Sequence, residues 1–147
     1  MRANPFRFDS TDLSRDRARF FSELRAFGQR SGWSQPIVNE IELILEEWWT
    51  NLTNYAFTEK DQPVVQVEIT SSAALANIQV TDSGVSFDPA ARPDPDLSVP
   101  AEERPIGGLG IYMMKKLSTQ LKSERLNGRN VLRIEKDLTR PVLGAKS

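Results

Sequence analysis

The chain has 147 residues, of which 39% are hydrophobic and 27% charged, and this is the size and composition of one folded domain with a hydrophobic core. Its 19 basic and 20 acidic residues leave a formal net charge of −1, so the overall charge indicates neither nucleic-acid binding nor attraction to an anionic membrane. The sequence has no cysteine and no histidine, which excludes disulfides, thiolate and histidine metal sites, Ser-His-Asp triads and a phosphohistidine on this chain.

Segments that would direct the chain to or through a membrane are not evident. No apolar run approaches the length that a transmembrane helix needs. The first residues, MRANPFRFDS, lack the apolar core of a signal peptide. We therefore expect a cytoplasmic protein without a membrane segment.

The first part of the sequence predicts an edge strand followed by two helices. The strand is expected over residues 4–9. A first helix, capped by Thr11 or Asp12, should run to about Ser31, where a serine-glycine pair ends it. A second helix should begin near residue 34 and run to about Phe57.

The second helix carries an apolar stripe at helical spacing, which predicts a face packed against a sheet. The stripe consists of Ile37, Ile41, Ile44, Trp48, Leu52 and Tyr55. We expect the adjacent Trp48 and Trp49 to serve packing, with one ring in the core and the other partly exposed.

The rest of the sequence predicts two hairpins and a third helix. Strands are expected over 63–71, 74–81, 121–126 and 130–137, and a helix over 108–121. Asn127-Gly128, between the last two strands, is typical of a hairpin turn. We expect the segment after Thr139 to be frayed.

A long loop is expected from residue 88 to about 106. The stretch from Asp88 to Arg104 contains four prolines and little apolar content, so regular structure cannot persist there. A loop of this length in a compact domain is usually functional and often a lid. The alternative is a disordered insertion.

The order of the elements predicts an α+β fold. We expect a two-layer α/β sandwich in which helices cover one face of a mostly antiparallel, mixed sheet. Residues 1–147 should form a single domain, with its core over about 5–137.

Glu47 and Asn51 are the first candidate site residues. They lie four residues apart on the second helix, so their side chains meet on one face, where Asn51 falls within the apolar stripe. A buried amide and carboxylate need partners. The partner is either a backbone group or a cation such as Mg²⁺, which suits oxygen ligands and also binds substrate phosphates.

Asp82 and Gly84 lie in the segment DSGVSF, where a predicted strand ends and the long loop begins. Ligands often bind where strands give way to loops. A carboxylate there can accept a hydrogen bond from the exocyclic amine of adenine, and a glycine lets the base come close. The alternative is a simple turn.

The segment Gly107-Gly108-Leu109-Gly110 stands immediately before a predicted helix. Backbone N–H groups in such a segment converge on a phosphate, helped by the N-terminus of the helix. The spacing is neither that of a Walker-type P-loop nor that of the Rossmann dinucleotide fingerprint.

Taken in order, E-x-x-x-N on a helix, D-x-G after a strand, a proline-rich loop and GGLG before a helix resemble the Bergerat-fold (GHKL) ATPases. The resemblance is carried by EEWWTNLTNYAF, VTDSGVSFDP and ERPIGGLGIYMMKKLS. Within this superfamily, the chain is most similar to the anti-sigma-factor serine/threonine kinases of bacterial partner-switching systems, over about residues 5–137. The resemblance implies a histidine-kinase-like ATPase domain.

The resemblance also implies roles for individual positions. Glu47 matches the carboxylate that activates the attacking hydroxyl, and the spacing to Asn51 favours it over its competitor Glu46. Asn51 matches the ligand of Mg²⁺, the expected cofactor. Asp82 matches the carboxylate that binds the adenine of ATP, and Gly84 matches the glycine beneath the base.

The phosphates of ATP are expected at the glycine-rich segment. Gly108 and Gly110 match the glycines of the phosphate loop in the family, with Gly107 and Leu109 beside them. Arg104, near the end of the lid, is a further candidate for a phosphate contact.

Three positions depart from the family pattern. Tyr55 stands where a histidine is often found, Ser86 replaces the second glycine of D-x-G-x-G, and Asn130 stands where a threonine is common. None of these differences removes the expected magnesium or adenine contact.

By this resemblance, the chain is expected to be an ATP- and Mg²⁺-dependent protein serine/threonine kinase that regulates transcription through partner switching. Its substrate would be an anti-sigma-factor antagonist, and it would also bind a sigma factor or another regulator. Members of the family are often homodimers, and we expect no direct contact with nucleic acid or membrane. The alternatives are a non-catalytic module that binds nucleotide or only partner proteins, and a simple ATP hydrolase.

Overall fold

The computed structural model describes residues 4–58, 61–89, 96–100, 102 and 108–143, and of Gly108 and Leu109 it describes the backbone only. These ranges contain helices α1 Leu13–Arg30, α2 Gln35–Asn51 and α3 Gly108–Leu117, and strands β1 Phe6–Ser10, β2 Val65–Ser71, β3 Leu75–Asp82, β4 Gln120–Leu126 and β5 Arg129–Asp137. A π-helical turn, Leu52–Ala56, continues α2. No helix within these ranges is long and apolar enough to cross a membrane.

The five strands form one sheet in the order β1-β2-β3-β5-β4, and every neighbouring pair is antiparallel. Strand residues alternate between buried and exposed, as expected for a sheet that is covered on one face. The buried residues of the strands and of the three helices form a common hydrophobic core. The predicted α+β sandwich is therefore confirmed.

Helix α1 begins at the predicted cap and packs on the edge strand. The Asp12 side chain accepts a hydrogen bond from the backbone N–H of Arg15 at 3.0 Å, which satisfies a donor that the helix itself leaves free. Phe20 packs edge-on against Phe8 of β1, with ring centroids 5.1 Å apart. The first helix and the edge strand thus form one aromatic layer.

Both tryptophans of α2 are buried, so the prediction that one would be partly exposed was wrong. Trp48 is 5% exposed and Trp49 is 1% exposed. The ring of Trp49 stacks on Phe20 of α1, with centroids 4.9 Å apart. Because α1 packs against α2 beside the stripe, α2 buries residues on two faces.

The π-helical turn after Asn51 changes which residues face the core. A single helix to about Phe57 was predicted, with Tyr55 on the apolar stripe, but α2 ends at Asn51 and Tyr55 is 53% exposed. A π-helix has more residues in each turn than an α-helix, so a stripe spaced for an α-helix does not continue through it. Tyr55 therefore lies outside the core.

Helix α3 ends at Leu117, four residues before the predicted end, and β4 begins at Gln120. The turn between β4 and β5 is the predicted hairpin turn. Asn127 has φ of 50° and Gly128 has φ of 75°, which is the left-handed region that a two-residue Asn-Gly turn uses.

The segment after β5 is held against α2, so the prediction that it is frayed was wrong for the residues described up to Leu143. The backbone N–H groups of Val142 and Leu143 donate hydrogen bonds to Oε2 of Glu40, at 2.8 Å and 2.6 Å. Lys136 of β5 donates to Oε1 of the same carboxylate at 2.5 Å. A buried carboxylate needs donors, and the C-terminal segment supplies two of them.

Candidate functional site

A cavity of about 210 Å³ lies between the end of α2, the loop after β3, helix α3 and the β4–β5 hairpin. Its apolar lining consists of Trp48, Leu52, Tyr55, Ala56, Val85, Phe87, Pro89, Met114, Val131 and Leu132. Its polar lining consists of Asn51, Asp82, Ser123 and Asn130. An apolar cavity with a few polar groups is the usual form of a small-molecule site.

Asn51 stands on the wall of this cavity, at the end of α2. Its Nδ2 donates a hydrogen bond to the backbone carbonyl of Glu47 at 2.8 Å. Because a carbonyl can only accept, the amide nitrogen must be the atom that faces Glu47, and Oδ1 then points away from the helix backbone. A backbone group is therefore a partner of Asn51, which was one of the two alternatives expected from the sequence. It engages only the amide nitrogen and leaves the amide oxygen available to a ligand.

Glu47 faces the N-terminal turn of α3. A Cβ atom added to Gly110 would lie 2.1 Å from Oε2 of Glu47, so only glycine permits this approach without moving the carboxylate. Burial and then the nearby charge of Glu46 raise the pKa of Glu47. Glu46 itself points to α1, where it forms an ion pair with Arg17.

Asp82 is 4% exposed at the end of β3. Its Oδ1 accepts two hydrogen bonds, from Asn130 Nδ2 at 3.0 Å and from the backbone N–H of Gly84 at 2.9 Å. Among the described residues, no group donates to Oδ2, and Asp82 lines the cavity. Burial raises the pKa of Asp82, whereas the bonds from Asn130 and Gly84 and the charge of Arg125 oppose that rise.

Gly84 lies against the end of the π-helical turn. A Cβ at Gly84 would lie 2.6 Å from the Cβ of Ala56 and 2.9 Å from its carbonyl oxygen. The backbone N–H of Val85 donates to that same carbonyl at 3.1 Å. The loop after β3 and the end of the helical segment are thus packed backbone to backbone, which explains a glycine here.

Replacing Gly84 with alanine is expected to lower the free energy of unfolding by about 1–3 kcal/mol, because the new methyl group has no room beside Ala56. Urea denaturation would measure the change. Ser86→Ala in the same loop is the matched control, since Ser86 is exposed and its change should stay within about 0.5 kcal/mol. Equal stabilities for the Gly84 variant and the control would contradict the packing argument.

Asn130 and Arg125 are site residues whose roles sequence reasoning missed. The hairpin register places Arg125 of β4 opposite Asn130 of β5, and Asn130 lies opposite Asp82 of β3. In the sequence, Asn130 stands out only as a departure from the family pattern, and Arg125 belongs to no motif. The Asn127-Gly128 turn was a signal for the pairing of Arg125 with Asn130, because a two-residue hairpin turn sets which residues of the two strands face each other.

The remaining predicted site residues are only partly described. Gly108 and Leu109 form the first turn of α3 with Gly110, so the predicted helix start is correct. Arg104 and Gly107 lie outside the described residues, as does most of the predicted lid. Of the other two departures from the family pattern, Tyr55 lines the cavity and Ser86 is exposed in the loop after β3.

A metal ion at this site would need oxygens beyond those of the protein. In the part of the chain that the structure describes, no three acidic side chains are grouped so that they could hold a metal. Asn51 Oδ1 is one suitable oxygen ligand. Magnesium is commonly bound by one or two protein ligands together with water and substrate phosphates, so the residues present fit that mode.

A family model described as the histidine kinase-like ATPase domain matches residues 11–136. The match includes α1 to α3 and β2 to β5 almost completely. It therefore includes all of the cavity-lining residues described above.

Two named relatives are similar to parts of the chain. A serine-protein kinase RsbW from Listeria monocytogenes serotype 4a is 27% identical over 103 residues, which cover 67% of this chain and 66% of that protein. A serine/threonine-protein kinase BtrW from Bordetella bronchiseptica is 23% identical over 103 residues, which cover 70% of this chain and 72% of that protein. The chain thus spans slightly less than two thirds of the length of the RsbW protein that it matches.

One solved structure has the same fold over nearly the whole chain. It is the crystal structure of the RsbU and RsbW domains of Rv1364c from Mycobacterium tuberculosis, with a TM-score of 0.62 and 15% identity. The match covers 95% of this chain and 34% of that chain. At this identity the likeness concerns the fold.

Proposed function

Because the chain belongs to the histidine kinase-like ATPase domain family, we propose that it binds ATP with Mg²⁺ and phosphorylates a serine or threonine of a partner protein. The observation that carries the proposal is a pair of oxygens in one cavity that accept no hydrogen bond from any other described residue. Asp82 Oδ2 and Asn51 Oδ1 both belong to residues that line it, and each side chain is held by its other polar atom.

In this proposal, the adenine base occupies the apolar cavity. Asp82 Oδ2 accepts a hydrogen bond from the exocyclic amine, and Gly84 lets the loop after β3 pack closely on Ala56, beside the base. The phosphates extend from the cavity toward the first turn of α3. Gly108 and Gly110 offer backbone N–H groups there, and the helix N-terminus favours negative charge.

The cation is assigned to Asn51. Bound Mg²⁺ would supply neutralisation of the charge that spreads over the transferring phosphoryl group. Asn51 is suited to hold it, because its Oδ1 is the part of the amide that is not engaged by the helix backbone.

Glu47 is assigned as the general base. As the hydroxyl oxygen of the partner protein bonds to the γ-phosphorus, the bond from that phosphorus to the β,γ-bridging oxygen breaks, and ADP leaves. The hydroxyl proton passes to the Glu47 carboxylate. The half-buried position of Glu47 raises its pKa toward the operating pH, which favours this role.

The partner is assigned from the relatives. The relatives named RsbW and BtrW are described as serine or serine/threonine protein kinases, so a protein hydroxyl is the expected acceptor. We further propose that the acceptor is an antagonist of an anti-sigma factor and that this chain binds a sigma factor or similar regulator. Kinase activity and regulation through binding would then use the same domain.

The test of this proposal is calorimetric titration of ATP into the protein with and without Mg²⁺. Wild type is expected to bind ATP more tightly with Mg²⁺, and Asn51→Ala should weaken the Mg²⁺-dependent binding about 10- to 100-fold, as for loss of a charge-assisted contact. Asn54→Ala is the matched control, since Asn54 is exposed on the adjoining π-helical turn. Absence of any ATP binding by wild type would leave a protein-binding module as the function.

A further inference from the structure

The side-chain amide of Asn130 is fully committed to the protein. Its Nδ2 donates to Asp82 Oδ1 at 3.0 Å and to the backbone carbonyl of Val85 at 2.7 Å. Its Oδ1 accepts from the backbone N–H of Phe87 at 3.1 Å and from Arg125 Nη1 at 3.0 Å. An amide has two donors and two acceptor positions, so all four are used and none remains for a ligand.

Arg125 extends this arrangement to the start of the loop. The same Nη1 donates to the backbone carbonyl of Gly84 at 2.8 Å. Together, Arg125 and Asn130 bind the backbone of Gly84, Val85 and Phe87. We call these two side chains the β4–β5 bridge, because they stand opposite each other on the last two strands and reach across to the loop after β3.

The β4–β5 bridge also determines which atom of Asp82 faces the cavity. Asn130 and the N–H of Gly84 both bond to Oδ1, so the carboxylate cannot rotate without breaking two hydrogen bonds. Oδ2 is left as the acceptor for a ligand. An ionised carboxylate can only accept hydrogen bonds. In the orientation that presents the N6 amine of adenine to Oδ2, it would repel the O6 carbonyl of a guanine bound in the same way.

We propose that Arg125 and Asn130 are positioning residues that select an adenine over a guanine nucleotide, by holding the Asp82 carboxylate and the Gly84–Phe87 loop in their binding geometry. The proposal rests on the proposed ATP-binding function. Asn130 has no amide position left for the base, and both residues act through Asp82 and the loop. Asn130 is suited to this role because it is only 8% exposed. Little water reaches its side chain to compete for the hydrogen bonds that it makes.

The protonation of Asp82 also depends on the β4–β5 bridge. Burial raises the pKa of Asp82, and the bonds from Asn130 and Gly84 together with the charge of Arg125 act in the opposite direction. Removing the bridge therefore favours the protonated acid, which can donate to the O6 carbonyl of guanine. The discrimination between the two bases should then weaken.

The experiment measures the dissociation constants of ATP and GTP, each with Mg²⁺, for wild type and bridge variants. Wild type should prefer ATP. Asn130→Leu keeps the approximate shape without hydrogen bonds, and it should weaken ATP binding about 10- to 100-fold while changing GTP binding less. Arg125→Met should also reduce the preference for ATP, measured as the ratio of the GTP and ATP dissociation constants. Asn130→Thr should restore part of the ratio, because its hydroxyl still donates to Asp82.

The ratio separates positioning from general stability, since a partly unfolded protein loses affinity for both nucleotides equally. Arg133→Met is the matched control, because Arg133 lies on β5 in contact with Glu124 on the exposed face of the sheet. The inference is overturned if Asn130→Leu and Arg125→Met keep the wild-type ratio, or lose both nucleotides equally. If Asn130→Leu does not fold, the Arg125→Met ratio decides.

The wild-type titration distinguishes this inference from the proposed function. Wild type that binds neither nucleotide refutes the proposed function, and the inference falls with it. If wild type binds ATP and the bridge variants keep the wild-type ratio of GTP and ATP dissociation constants, the proposed function stands and only the inference is refuted.

Discussion

Replacing Lys136 with methionine is expected to lower the free energy of unfolding by about 3–5 kcal/mol, the usual cost of removing one partner from a buried ion pair. Lys136 is 1% exposed, and its Nζ donates to Glu40 Oε1 at 2.5 Å and to the carbonyl of Leu117 at 2.6 Å. The variant would leave the Glu40 carboxylate charged and buried without its cation. Urea denaturation at neutral pH is the measurement.

Two controls test whether the charge is the cause. Lys122→Met removes an exposed lysine of β4 and should change stability by less than about 0.5 kcal/mol. The double variant Lys136→Met, Glu40→Gln removes both charges and should regain part of the loss, because the Gln oxygen still accepts from Val142. A double variant less stable than Lys136→Met alone would contradict the explanation.

The ion pair between Lys136 and Glu40 also makes the free energy of unfolding depend on pH. Burial opposes the ionisation of Glu40, but the hydrogen bonds from Lys136, Val142 and Leu143 outweigh it, so the pKa of Glu40 is lowered. A lowered carboxyl pKa contributes stability above the unfolded value of about 4.3, and this contribution is lost as the pH falls through the folded value. The cost of Lys136→Met should therefore shrink in acid, where Glu40 is protonated.

Replacing Glu47 with glutamine is expected to slow phosphoryl transfer by about 100- to 10,000-fold, the usual contribution of a general base. Glutamine keeps the size of the side chain but cannot accept the hydroxyl proton. ATP affinity should stay near that of wild type, because Glu47 is not assigned to nucleotide binding. Single-turnover transfer of labelled γ-phosphate to the proposed acceptor protein measures the rate.

Glu46→Gln is the matched control, since Glu46 is the neighbouring carboxylate and is paired with Arg17 at the surface. Its transfer rate should be close to wild type. Burial and the charge of Glu46 raise the pKa of Glu47. As the pH is lowered, the wild-type rate should therefore begin to fall at a higher pH than it would with an ordinary carboxylate as the base. The rate of Glu47→Gln should not show this fall. Equal loss of rate in both variants would remove the assignment to Glu47.

Features that depend on a few neighbouring residues were predictable. The cap at Asp12 and the turn at Asn127-Gly128 are set by hydrogen bonds and dihedral angles within three or four residues, and both were found where the sequence indicated. The approximate bounds of the strands followed from alternation of apolar and polar residues. A polar Asn51 within an apolar stripe was visible in the same way.

Features that depend on what packs against an element were not predictable. The stripe of α2 describes one face, whereas Trp49 is buried by α1 on another face. Tyr55 follows the α-helical spacing, but the π-helical turn takes it away from the core. The local periodicity of the sequence shows neither that α1 packs on Trp49 nor that the α-helix changes to a π-helical turn.

The sequence by itself determined the fold class, the order of the elements and the residue types at Asn51, Asp82 and Gly84. Only the tertiary structure decided that Asn130 bonds to Asp82 and that Lys136 bonds to Glu40, partners separated by 48 and 96 residues. These contacts depend on the register of β3 against β5 and on the packing of α2 over the sheet. A strand pattern repeats every two residues and fits several registers, so it specifies the buried face but not the partner across the sheet.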